Sequence, residues 1–100
     1  MAIVVQVDYG DMSLDQYDEV VETLGLLPGG PPPPGVLFHC VSARGDGIRI
    51  LDVWESPEAL EDFQRRRIGP VLEQLGVRSP PRMSVVDVHR YYAANPRARR

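Results

Sequence analysis

Two histidine–aspartate combinations hold the chemical interest of this 100-residue chain: His39 with Asp52, and His89 with Asp87, each near an aromatic residue, Trp54 or Tyr91. An imidazole beside a carboxylate is held in one tautomer and made more basic, which is how a general base for proton abstraction is built. The segment Arg44-Gly45-Asp46-Gly47 is a hairpin signal, and a two-residue turn at Gly45-Asp46 sets His39 directly opposite Asp52. A turn shifted by one residue sets His39 opposite Trp54 instead. In this reading His39 is the base, Asp52 its orienting partner, Trp54 a flat platform for an aromatic substrate, and His89 or Tyr91 the acid. Gln6, Leu37, Val41 and Ile50 complete the lining. Read structurally, the His39–Asp52 pair only fixes strand register or a dimer interface. No ligand spacing among the histidines and aspartates recommends a metal site, and no Ser-His-Asp, phosphate-loop or dinucleotide motif has a matching context.

These residues need strands to position them. A strand over residues 2–8 leads into a helix that Ser13 caps, with Gln16 three residues later to complete a capping box and Gly25 to end it. Leu14, Tyr17, Val21 and Leu24 share one face of that helix, which packs on the sheet. The stretch from Pro28 to Gly35 contains four consecutive prolines, Pro31 to Pro34, and reads as a stiff extended connector, with a cavity lid or a proline-motif ligand as the lesser readings. Strands follow over residues 36–43 and 48–54. Ser56 and Pro57 start a second helix carrying Leu60, Phe63, Val71, Leu72 and Leu75; Glu61 with Arg65 and Asp62 with Arg66 stand at ion-pair spacing, and Gly69-Pro70 kinks or splits it. A last strand is expected over roughly residues 83–92.

The order strand, helix, strand, strand, helix, strand predicts an α+β, ferredoxin-like βαββαβ domain over residues 1–92: a four-stranded antiparallel sheet with both helices on one face. Alternation divides each strand. Ile3, Val5 and Val7, with Val36, Phe38, Cys40, Leu51, Val53, Val86 and Val88, are assigned beneath the helices; Gln6, Leu37, His39, Val41, Ile50, Asp52, Trp54, Asp87, His89 and Tyr91 are assigned to the open face. An open face so apolar yet dotted with polar groups predicts a homodimer enclosing a ligand cavity.

Composition narrows the remaining choices. A net charge of -3 argues against nucleic-acid binding, and Arg97, Arg99 and Arg100 form a short basic tail over residues 93–100. All eleven basic residues are arginine, so no lysine Schiff base is available. A lone Cys40 excludes an intrachain disulfide, and with no signal peptide or membrane span in the sequence the expected location is cytoplasmic.

The residues Gly35 through His39, the turn Gly45–Gly47, Asp52-Val53-Trp54-Glu55-Ser56, Phe63, and Gly69-Pro70 through Gly76 resemble the dimeric α/β-barrel superfamily, especially an uncharacterised bacterial branch near the antibiotic-biosynthesis monooxygenases. The resemblance implies homodimers whose sheets close into a barrel, with a pocket between sheet and helices or within the barrel. It also implies a choice among cofactor-independent oxygenases, polyketide cyclases, isomerases and haem-degrading proteins. Haem degradation is disfavoured, since its axial histidine lies on a helix and both histidines here read as strand residues.

The resulting expectation is a homodimeric small-molecule enzyme of secondary metabolism without a tightly bound cofactor, acting by proton transfer on an aromatic or polyketide-like substrate. Its activity would be that of a cyclase, isomerase or dehydratase. Cofactor-independent oxygenation is the nearest variant, because deprotonation makes an electron-rich carbanion that oxygen attacks. A non-catalytic dimer binding a hydrophobic metabolite is the alternative from another class.

Overall fold

The computed structural model describes residues 1–92; the basic tail at 93–100 lies outside the described residues. Strand β1 spans Ile3–Tyr9, helix α1 Leu14–Thr23, β2 Val36–Arg44, β3 Gly47–Trp54, α2 Pro57–Phe63, α3 Gly69–Gln74 and β4 Arg82–Asp87. A π turn, Gln64–Ile68, joins α2 to α3, so the second helix runs as three consecutive segments. The strands form one antiparallel sheet in the order β2-β3-β1-β4, the ferredoxin-like arrangement expected from the element order.

Local chemistry accounts for the elements. Ser13 accepts from the Gln16 backbone N–H while the Gln16 side chain accepts from the Ser13 N–H, a complete capping box. Ser56 caps α2 through the Ala59 N–H, with Pro57 in the first turn. The expected ion pairs Asp62–Arg66 and Glu61–Arg65 form at 2.9 and 3.7 Å. On α1 the burial falls on Val20, and Leu14, expected on the packed face, is exposed. At Gly47 a Cβ would overlap the Tyr9 carbonyl, so the start of β3 passes β1 only as glycine.

The assignment of faces is corrected for three of the four strands. β1 is as expected: Ile3, Val5 and Val7 lie beneath the helices with almost no exposure. The register sets Ile3 opposite Trp54, Val5 opposite Asp52 and Val7 opposite Ile50, so the even-numbered positions of β3 join the helix-covered face. β2 follows β3, because His39 pairs with Asp52 and Val41 with Ile50. Leu37 is the bulge that lets Val36 and His39, three residues apart, face the same side. On β4, Val85 and Asp87 share the side of Val5 and Ile3. The open face is therefore Val4, Phe38, Cys40, Leu51, Val53 and Val86, with Gln6 and an Asp8–Arg49 ion pair among the neighbouring positions. His39, Asp52 and Trp54 lie under the helical layer.

Candidate functional site

A cavity of about 480 Å³ lies between the helix-covered face of the sheet and the helices of one chain. Its lining is apolar over most of its extent, from Met12, Ile50 and Leu60 to Leu72 and Met83. The proline-rich connector supplies one wall through Pro31, Pro32 and Pro33. Three polar side chains meet at one side. The Nδ1 of His39 lies 2.5 Å from Asp52 Oδ1, and the Tyr17 hydroxyl lies 2.5 Å from His39 Nε2. The other Asp52 oxygen accepts from Trp54 Nε1 at 3.3 Å.

Each member is placed by its element. The β2–β3 hairpin holds His39 opposite Asp52 in the register of the Gly45-Asp46 turn. Trp54 stands two residues along the same face from Asp52, which lets its indole N–H reach the carboxylate. Helix α1 brings the Tyr17 hydroxyl end-on to the imidazole, ring centroids 6.0 Å and ring planes 11° apart. An ionised carboxylate only accepts, so the network assigns the hydrogen to His39 Nδ1 and leaves Nε2 to accept from the Tyr17 hydroxyl. Burial pushes the Tyr17 phenol above its ordinary range, helped by the negative charge of Asp52 and then of Asp18 and Cys40. Tyr17 thus rests as the neutral hydroxyl.

Asp52 is buried and His39 is 38% exposed, so the network runs from the protein interior to a reachable imidazole. Every described side-chain N or O atom buried from solvent has a hydrogen-bond partner. A largely apolar pocket with this hydrogen-bonded chain at one side can take a proton from a substrate at Tyr17, the Tyr17 proton passing to His39, and can return it. Among the described residues no group of three or more His, Cys, Asp or Glu gathers as metal ligands do.

The expected site residues separate into two sets. His39, Asp52, Trp54 and Ile50 line the cavity, and Val41 packs against the core beside them. Gln6 lies on the open face, its amide 3.5 Å from Asp8, and Leu37 is the exposed bulge residue; neither reaches the cavity. His89 and Tyr91 are exposed and lie beyond β4, which ends at Asp87 opposite Ile3, the first residue of β1; without a partner strand the ladder stops. Asp87 is likewise exposed. The residue that sequence reasoning missed is Tyr17, read as packing because it shares a helical stripe with Val21 and Leu24. Its signal was a hydroxyl in an otherwise aliphatic stripe.

No protein-family model matches the chain, and no curated protein matches it. Solved structures do. A candidate antibiotic biosynthesis monooxygenase from Chloroflexus aurantiacus J-10-fl is 16% identical with a TM-score of 0.64, covering 93% of this chain and 98% of its own. A protein of unknown function from Nitrosomonas europaea is 12% identical with a TM-score of 0.67, over 94% of this chain and 95% of its own. A mutant of SnoaB, a cofactor-independent oxygenase from Streptomyces nogalater, is 12% identical with a TM-score of 0.58, over 90% and 94%. At these identities the likeness establishes the fold: it is the ferredoxin-like fold of the antibiotic biosynthesis monooxygenase-like proteins.

Proposed function

We propose that this chain is a small-molecule enzyme that removes and returns a proton on an aromatic or polyketide-like substrate, using Tyr17, His39 and Asp52 as one relay. The observation that carries the reading is the unbroken hydrogen-bonded chain from Asp52 through His39 to the Tyr17 hydroxyl at the side of an apolar cavity. As the substrate carbon gives its proton to the Tyr17 oxygen, the Tyr17 proton passes to His39 Nε2. Asp52 then stabilises the imidazolium, and the electron pair left on the substrate delocalises into its carbonyl. Return of the proton to a different atom completes an isomerisation, a cyclisation or, with loss of hydroxide, a dehydration. His89 and Tyr91, which the sequence offers as the acid, have no part in this scheme.

A second reading is oxygenation without a cofactor, in which the same carbanion reacts with dioxygen; the likeness to SnoaB favours it. Both readings place a second copy of the chain on the open face, where Phe38, Leu51 and Val86 are 45%, 37% and 55% exposed. A third outcome, a ligand-binding dimer without catalysis, is decided by the same assay.

Anthrone is a suitable probe, since its ring carbonyl acidifies the methylene opposite. Exchange of that methylene for deuterium, followed by NMR under nitrogen, should be accelerated by the protein. Tyr17→Phe and His39→Asn should each lower the accelerated rate by about 10²-fold or more, with Asp52→Asn intermediate. Oxygen uptake on admission of air identifies the oxygenase reading. Equal rates for the wild type and all three variants would make the relay purely structural.

A further inference from the structure

The cavity wall supplied by the second helix contains one residue that its neighbours do not explain. Leu60, Gln64, Ile68 and Leu72 all line the cavity at a constant spacing of four. In a regular helix of 3.6 residues per turn, each step of four drifts about 40°, so three steps would carry Leu72 roughly 120° away from Leu60. The π turn over Gln64–Ile68 winds more slowly and takes up much of that drift. Its closing bond runs from the Gly69 N–H to the Gln64 carbonyl, and a Cβ at position 69 would lie 2.7 Å from that oxygen. Pro70 follows with no N–H to give, so the local sequence suits the wider turn. The distortion holds Gln64 in the same wall as three aliphatic side chains.

Among the described residues, the hydrogen-bond contact of the Gln64 carboxamide is Nε2 to Met83 Sδ at 3.7 Å. A thioether is a weak acceptor, so the amide keeps its oxygen and a further N–H for another partner. Its location is informative as well. Met83 is on edge strand β4 and His39 on the opposite edge strand β2, and Met83 pairs with Val7 whereas His39 lies in the row of Asp52 and Val5, two residues along. Gln64, beside Met83, therefore lies toward the β4 edge and the Tyr17–His39 pair toward the β2 edge, with Ile50 and Phe63 among the apolar groups lining the cavity.

We propose that Gln64 is a second polar anchor: its carboxamide hydrogen-bonds an oxygen at the far end of a planar, apolar ligand whose other oxygen lies at the Tyr17–His39 end. The inference rests on reading this cavity as the substrate site. A fused-ring aromatic with a hydroxyl at each end carries its oxygens in that pattern. Gln64 is then a positioning residue that fixes which end of the ligand meets the relay.

Calorimetric titration of naphthalene-2,6-diol and 2-naphthol, which differ by the second oxygen, tests this. The wild type should bind the diol about three- to tenfold more tightly, the range of one neutral hydrogen bond. Gln64→Leu should weaken the diol to the level of 2-naphthol and leave 2-naphthol unchanged, with the melting curve confirming the fold; Gln64→Glu, which retains an acceptor, should recover part of the discrimination. Equal weakening of both probes by Gln64→Leu, no change in either, or failure of the wild type to bind the diol would overturn the proposal. His39→Asn serves as the separate control. If it leaves the exchange rate unchanged while the Gln64 discrimination persists, the proposed function falls and the anchor stands.

Discussion

At the scale of single residues, the same feature that makes Tyr17 a good relay also records its environment. Its phenol is pushed up first by burial, then by the charges of Asp52, Asp18 and Cys40, and Tyr9 is pushed up by burial alone. A folded-state value above the unfolded one, which is about 10, means the unfolded chain ionises first as the solution becomes basic. The associated stability is therefore complete below pH 10 and is lost as pH rises through the folded-state values. Chemical denaturation at intervals above pH 10 should show a falling midpoint, with the fall reduced in Tyr17→Phe. Asp8 acts in the opposite sense: its hydrogen bond to Arg49 lowers it, so its contribution is present above its ordinary value of 3.8 and is lost on acidification. That pair was not foreseen, because Asp8 and Arg49 are forty-one positions apart and only the β1–β3 register makes them partners.

At the scale of elements, helix α1 is held in place by features visible in the sequence, and the relay depends on where it ends up. Ser13→Ala removes the acceptor for the Gln16 N–H and should cost about 1 kcal/mol of stability by urea titration. The expected effect on the exchange rate is small, since the Tyr17 backbone position is also fixed by the Val20 side of the helix. The hairpin was legible to within one residue of register: the sequence allows His39 opposite Asp52 or opposite Trp54, and the two-residue Gly45-Asp46 turn, with His39 opposite Asp52, is the one found. The π turn was not legible. Gly69-Pro70 marks a break in the helix, but a kink, a split and a widened turn all satisfy the lack of a proline N–H, and packing against the cavity selects among them.

At the scale of the whole molecule, exchanging the faces leaves the argument for a dimer intact and moves the cavity. The open face still carries exposed apolar side chains, Phe38, Leu51 and Val86, while the polar network lies on the helix-covered side within one chain. Leu51→Glu should convert a dimer to a monomer in analytical ultracentrifugation, because it sets a charge amid an apolar interface. A wild-type chain that sediments as a monomer would remove the partner from the proposed function. Element order, caps, the hairpin and the chemical types of His39, Asp52 and Trp54 all follow from local rules that the sequence by itself determined, since each involves residues close along the chain. Only the tertiary structure decided which side of the sheet those residues face. Alternation sorts residues within one strand, but matching β1 to β3 across intervening segments depends on register, and there odd-numbered residues of one pair with even-numbered residues of the other. The same holds for Tyr17 and Gln64, which belong to the site because α1 and the π turn pack over the sheet, contacts set by the fold as a whole.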